Sequence, residues 1–120
     1  VALLDANANG RIDIVTGNWY GPHRMWLQPP PPARGESAQF RDAAPAAMAR
    51  PSAIRTVVVA DFDNDGYQEI FFNNICSCRH DMPSMCSEPN RLFRTTDGVR
   101  WESVPVGSAE EQFGRGTGAA

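Results

Sequence analysis

Apolar and polar positions along this chain fall into short runs, and the runs form two similar series. VALL (1–4) and TVVVA (56–60) are brief, apolar and carry β-branched residues, which predicts short strands buried on both faces. Each is followed by a polar, acidic loop. IDIVTGNW (12–19) and EIFFNN (69–74) then predict second strands. RLFRTTDGVRWESVPV (91–106) reads as two more strands joined at Asp97-Gly98, a strong hairpin signal. Helical periodicity is poor. Its best stretch is DAAPAAMAR (42–50), which Pro45 interrupts and Pro51 follows. QPPPPARGES (28–37) predicts an extended, exposed loop.

The two series are copies of one unit. Residues 1–15 align without a gap on 57–71 at an offset of 56 residues, so that Asp5 falls on Asp61, Asn7 on Asp63 and Asn9 on Asp65. Gly10 falls on Gly66, Asp13 on Glu69, Ile14 on Ile70 and Asn18 on Asn74. HRMWL (23–27) then matches NRLFR (90–94) after an insertion of about 11 residues, and QFRD (39–42) resembles RWES (100–103). The predicted fold is all-β, with four strands per copy and about two four-stranded blades of a β-propeller. Residues 1–50 form the first blade, 51–113 the second, and 114–120 begin a third. Propellers close with about 4–8 blades, and two alone leave open edges and a small core, so the chain is expected to be part of a longer one.

The loop DFDNDGYQE (61–69) offers oxygen side chains at positions 1, 3 and 5, a glycine at 6 and a carbonyl at 7, as a calcium loop does. Those ligands are Asp61, Asp63, Asp65 and the carbonyl of Tyr67. Position 12, where an EF-hand carries its bidentate acid, is Phe72 in this loop and Thr16 in the first, which rules out that motif. The remaining acid comes at position 9, as Glu69 and Asp13, where a strand begins. The first loop has two carboxylates and two amides, which predicts weaker binding. Asp/Asn/Gly turns between strands are also common without any metal. Two such loops at matching repeat positions favour the metal reading, as do four carboxylates within nine residues.

Charge and composition narrow the rest. All 11 basic residues are arginine and the net charge is −3, too small to point to nucleic acid or a membrane surface. No apolar run approaches the length that spans a bilayer.

DxDxDGxxD-type loops between strands, spaced by about 60 residues, resemble FG-GAP (VCBS-like) repeats, as in integrin α-subunit propellers. More narrowly, residues 12–28, 54–74, NRLFR (90–94) and GRGTG (114–118) are similar to the propeller of the cartilage acidic protein family, which also carries an ASPIC/UnbV domain. The resemblance implies a secreted, seven-bladed-type propeller that binds calcium and acts by adhesion or matrix assembly through extracellular proteins or glycans, not by catalysis. It implies Asp5, Asn7, Asn9, Asp13 and Asp61, Asp63, Asp65, Glu69 as metal ligands, with main-chain help from Arg11 and Tyr67. Two departures stand out: the amides of the first loop, and a long cysteine-bearing stretch at 75–90. There Cys76, Cys78, His80 and Cys86 have the ligand types of a zinc site but no standard zinc spacing. A disulfide from Cys86 to Cys76 or Cys78 suits the extracellular setting that the resemblance implies, and free thiols are the third reading.

Other residues have structural readings. His23 is read as a strand-start residue rather than a catalytic base. Trp26 with Phe93, and Phe40 with Trp101, are expected in the inter-blade core, with Arg24 and Arg91 pairing carboxylates between blades. Trp19 and Tyr20 do not repeat and are expected to be exposed. They support an alternative reading, a carbohydrate-binding module. An accessory propeller of a secreted hydrolase is the other alternative.

Overall fold

The computed structural model describes residues 1–75 and 88–110. Among these residues the predicted strands form two four-stranded antiparallel sheets. The first contains β1 (Ala2–Leu4), β2 (Asp13–Thr16), β3 (Arg24–Leu27) and β4 (Arg41–Asp42). The second contains β5 (Ile54–Ala60), β6 (Glu69–Asn74), β7 (Arg91–Arg94) and β8 (Glu102–Val104). Strand order follows chain order in both. The link between the sheets holds one turn of helix, α1 (Ala46–Ala49), which starts after Pro45 and stops before Pro51. Cys76, Cys78, His80, Cys86 and residues 114–120, on which the thiol readings and the third repeat rest, lie outside the described residues.

Residues paired directly across a ladder share a face. In the first sheet Leu4, Val15 and Met25 face the second sheet, which answers with Val57, Ile70, Phe72 and Phe93. Met48 of α1 completes this core, and the rings of Phe72 and Phe93 meet edge to face at 5.7 Å.

A polar network ties the two sheets together at one end of this core. The Asn18 N–H donates to His23 Nδ1 at 2.9 Å, so the proton of the neutral ring sits on Nε2 and points to Ser52 Oγ, also at 2.9 Å. The same hydroxyl accepts from Arg91, which further donates to the carbonyls of Ala47 and Arg50. His23 is fully buried, in keeping with its structural reading. The repeat explains its place: Asn74 N–H donates to Asn90 Oδ1 at 2.8 Å, and the Asn18 and Asn74 amides reach the carbonyls of Pro22 and Pro89. His23 thus stands where the second copy has Asn90.

Three expectations need correction. Arg24 does pair a carboxylate, but that of Asp42 in its own sheet, at 2.6 Å. Arg91 is buried and binds carbonyls and a hydroxyl instead. The aromatic pairs are split: Phe93 is in the core, and Trp101 packs at its edge. Trp26 is half-buried on the outer face of the first sheet, and Phe40 is exposed. Equivalent residues of the two copies have different neighbours, because among the described residues only one face of each sheet is covered.

The β7–β8 turn presses on the first acidic loop. A Cβ built on Gly98, whose φ is +68°, would stand 2.8 Å from Asn7 Cα and O. Gly98→Ala is therefore expected to cost about 2–3 kcal/mol through backbone strain plus the clash. Gly66, at φ +93°, has open space around it, so Gly66→Ala should cost about 1 kcal/mol. Urea unfolding of both variants checks the order; equal losses would mean that the turn and loop do not touch in solution.

Candidate metal centre

The two acidic loops share one framework of backbone-to-side-chain bonds. The position-1 carboxylate accepts two backbone N–H groups. Asp5 takes those of Asn9 and Gly10 at 2.9 and 2.7 Å, and Asp61 those of Asp65 and Gly66, both at 3.0 Å. The position-5 side chain accepts the N–H of position 7, from Arg11 to Asn9 and from Tyr67 to Asp65. The acid at position 9 reaches back to the N–H of position 2, Ala6 to Asp13 at 2.9 Å and Phe62 to Glu69 at 2.6 Å. Position 4 is left-handed in both, at Ala8 (φ 54°) and Asn64 (φ 65°), and glycine carries the positive φ at position 6. These bonds fix the path of each loop and the places from which its side chains project.

In the second loop one carboxylate oxygen from each of Asp61, Asp63 and Asp65 lies within 4.8 Å of the others, all three side chains being exposed. Three like charges so close favour a cation among them. Glu69 is not part of that trio. It is buried at the base of the loop, and Oε1 has no hydrogen-bond partner among the described residues. Burial, and then the charges of Asp63, Asp65 and Asp61, push its carboxyl above the usual range. Arg94 borders the site, its NH1 3.9 Å from Asp63 Oδ2 and its Nε paired with Glu102.

The first loop differs where its sequence does. Asn7 and Asn9 replace two of the aspartates, and Asn7 Oδ1 is buried without a partner among the described residues. Asp13 is buried with both oxygens engaged, one by Ala6 N–H and the other by Gln28 N–H at 2.7 Å. The loop also lies at the junction of the sheets, where Asp5 N–H donates to the Gln68 side chain at 3.1 Å. Sequence reasoning missed Gln28, Gln68 and Arg94. Each acts through a neighbouring strand or sheet, so no spacing within a loop could reveal it.

The donors are all oxygen, the ligand type of a hard cation such as calcium. The orphaned Glu69 and Asn7 oxygens fit such an ion as well, since a buried acceptor without a partner is costly. Elsewhere, Trp19 is exposed as expected and meets Tyr20 edge-on at 5.3 Å, while Tyr20 is half-buried. Among the described residues no helix is long and apolar enough to cross a membrane.

Comparison with known proteins bears on the loops and on the whole chain. The family model described as FG-GAP-like repeat matches residues 5–72, both loops included. Cartilage acidic protein 1 of Mus musculus is 46% identical over 122 residues, covering 98% of this chain and 17% of the relative. The protein of that name from Xenopus tropicalis is 46% identical over 126 residues, covering all of this chain and 18% of the relative. That of Homo sapiens is 45% identical, covering 98% and 17%. The chain therefore spans less than a fifth of the length of these relatives.

Proposed function

The chain belongs to the FG-GAP-like repeat family, and on that premise we propose that it is a calcium-binding, non-catalytic interaction module made of propeller blades. The blades are residues 1–50 and 51–113, with 114–120 opening a third. The observation that carries the calcium reading is the convergence of Asp61, Asp63 and Asp65 above the unpartnered Glu69 oxygen. Asp61, Asp63, Asp65, the Tyr67 carbonyl and Glu69 would hold the ion. Asp5, Asn7, Asn9, the Arg11 carbonyl and Asp13 would hold a second one more weakly, having less charge and an Asp13 already engaged by two N–H groups. Calcium supplies the positive charge that lets β5 and β6, or β1 and β2, meet at a loop crowded with acids. Its role is structural: it stiffens the rim from which the blade loops project towards partners. The names of the relatives support an extracellular matrix setting with protein or glycan partners.

Calorimetric titration of calcium into the chain tests this reading. Extracellular calcium modules bind at about 10⁻⁴–10⁻³ M, and ligand at ten times Kd stabilises by about 1.4 kcal/mol. Asp63→Ala with Asp65→Ala should remove the tighter binding step and the rise in melting temperature that goes with it, leaving only the weaker step of the first loop. If millimolar calcium produced neither in the parent chain, the loops would be turns alone. The exposed Trp19 keeps a second reading in view, sugar binding, which a rise or quench of tryptophan fluorescence on titration with polysaccharides would reveal.

A further inference from the structure

The acidic loops share a framework, but the strand residue beside the second loop has no equal beside the first. HRMWL aligned on NRLFR places Leu27 on Arg94. Across the outer ladder Leu27 meets Arg41, whereas Arg94 meets Glu102. The arginine accompanies the loop with four carboxylates, Asp61, Asp63, Asp65 and Glu69, while the loop with two, Asp5 and Asp13, has the leucine. The Arg94 guanidinium is held from two sides. Its Nε donates to Glu102 at 2.9 Å, and its NH1 stands 3.9 Å from Asp63 Oδ2. The second distance is too long for a hydrogen bond, so charge alone acts there. The bond to Glu102, and after it the charges of Asp63 and Asp65, raise the pKa of Arg94. A fixed cation thus stands at the edge of the Asp61, Asp63 and Asp65 trio, whose carboxylate oxygens lie within 4.8 Å of one another.

We propose that Arg94 sets the calcium affinity of the second loop, balancing part of the loop's negative charge when it is empty and opposing the entry of a divalent cation. The inference rests on the calcium reading and deepens it, because it concerns the same three aspartates. Like charges repel, so a calcium ion among the carboxylates meets the positive charge that already stands beside Asp63. Without Arg94 the empty loop would keep three exposed carboxylates above the buried Glu69 with no cation at their edge. Removing the arginine therefore has two opposite effects: the empty loop is weakened, and the ion is held more tightly. Glu102 tempers the competition, since its hold on Nε keeps the guanidinium from closing onto Asp63. The outcome is a loop that keeps its shape at low calcium and fills only when calcium is plentiful.

Calorimetric titration of calcium, with melting curves in chelator, reads both effects. Arg94→Leu installs the residue that the first sheet carries at this strand position, so the repeat already accommodates it. The dissociation constant of the tighter step should fall about fivefold at low salt, and the gain should largely vanish in 1 M salt, where the screening length is about 3 Å. In chelator the same variant should melt below the parent. Arg94→Lys, which keeps the charge, should bind as the parent does. Arg100→Leu removes an equal charge from the same hairpin, at a residue paired with Asp97 at 3.0 Å, and should leave the tighter step unchanged. An arginine that served only as the partner of Glu102 would lower the melting temperature and leave the dissociation constant where it was. That result overturns the proposal, as does weaker binding by Arg94→Leu, which would mean that the arginine aligns Asp63 for the ion. Tightening shared by Arg94→Lys or by Arg100→Leu overturns it as well. A parent chain that takes up no calcium overturns the calcium reading and this inference with it, and the parent titration alone tells the two failures apart.

Discussion

Phe93→Ala should cost about 3–5 kcal/mol of folding stability, while the same truncation at its repeat counterpart, Trp26→Ala, should cost only about 1 kcal/mol in dilute solution. The two residues share a strand position and a partner: Trp26 lies opposite Ile14 and Phe93 opposite Ile70. They differ in what covers them. Phe93 is buried against the Phe72 ring, with the Arg91 guanidinium 5.8 Å from its centroid, and removing it empties a space that the two sheets cannot both close. Trp26 is half-buried on an outer face, and water replaces what is removed. Urea unfolding followed by circular dichroism measures both. A Trp26→Ala loss as large as that of Phe93→Ala in a monomeric sample would mean that the outer face is covered within the chain, contrary to the observed packing. The larger loss is a large share of the 5–15 kcal/mol typical of a domain, so Phe93→Ala is also expected to express poorly.

This pair marks where the sequence could be read and where it could not. The strands and loops were legible because their causes are local. Val57, Val58 and Val59 suit a pleated, half-buried surface, and Asp, Asn and Gly at alternate loop positions bend the chain whether or not a partner is present. The offset between the copies then carried one reading to the other, and the matched bonds of Asp5 with Asp61 and of Asp13 with Glu69 bear out the loop alignment. Burial was not legible by that route. A repeat predicts equal registers, but burial depends on which neighbour each copy meets, so Phe40 and Trp101 share a place in the repeat yet only Trp101 packs against the core. Arg24 and Arg91 diverge for the same reason. One lies at an open face beside Asp42, and the other is closed in under α1 and finds carbonyls.

Acid should weaken the fold between pH 6.5 and 4 through one side chain, His23. Burial, and then the charge of Arg91, lower its pKa from 6.5 to about 4 in the folded chain. Its surroundings account for both effects. Nδ1 already accepts the Asn18 N–H, so an added proton has nowhere to sit without breaking that bond. Nε2 shares Ser52 Oγ with the Arg91 guanidinium, and Phe72 covers the ring at 5.1 Å. The unfolded chain therefore takes up the proton first. The stabilisation is complete above pH 6.5, drains as pH falls towards 4 and levels off below that. A difference of this size in pKa corresponds to a loss of about 3 kcal/mol. Other groups titrate nearby: Asp42 and Asp97 have lowered pKa values and lose their contributions at more acid pH, while Glu69, with a raised one, gains on protonation. His23→Asn separates the imidazole from all of them, because Asn90 shows that an amide oxygen can accept the same N–H at this point of the repeat. The variant should lose about 1 kcal/mol at neutral pH with the hydrogen bond to Ser52. Its unfolding free energy, subtracted from that of the parent at each pH, should leave a curve that falls only between 6.5 and 4. A flat difference curve would mean that His23 is hydrated enough in solution to keep its ordinary pKa, and that the polar junction between the sheets is open to water.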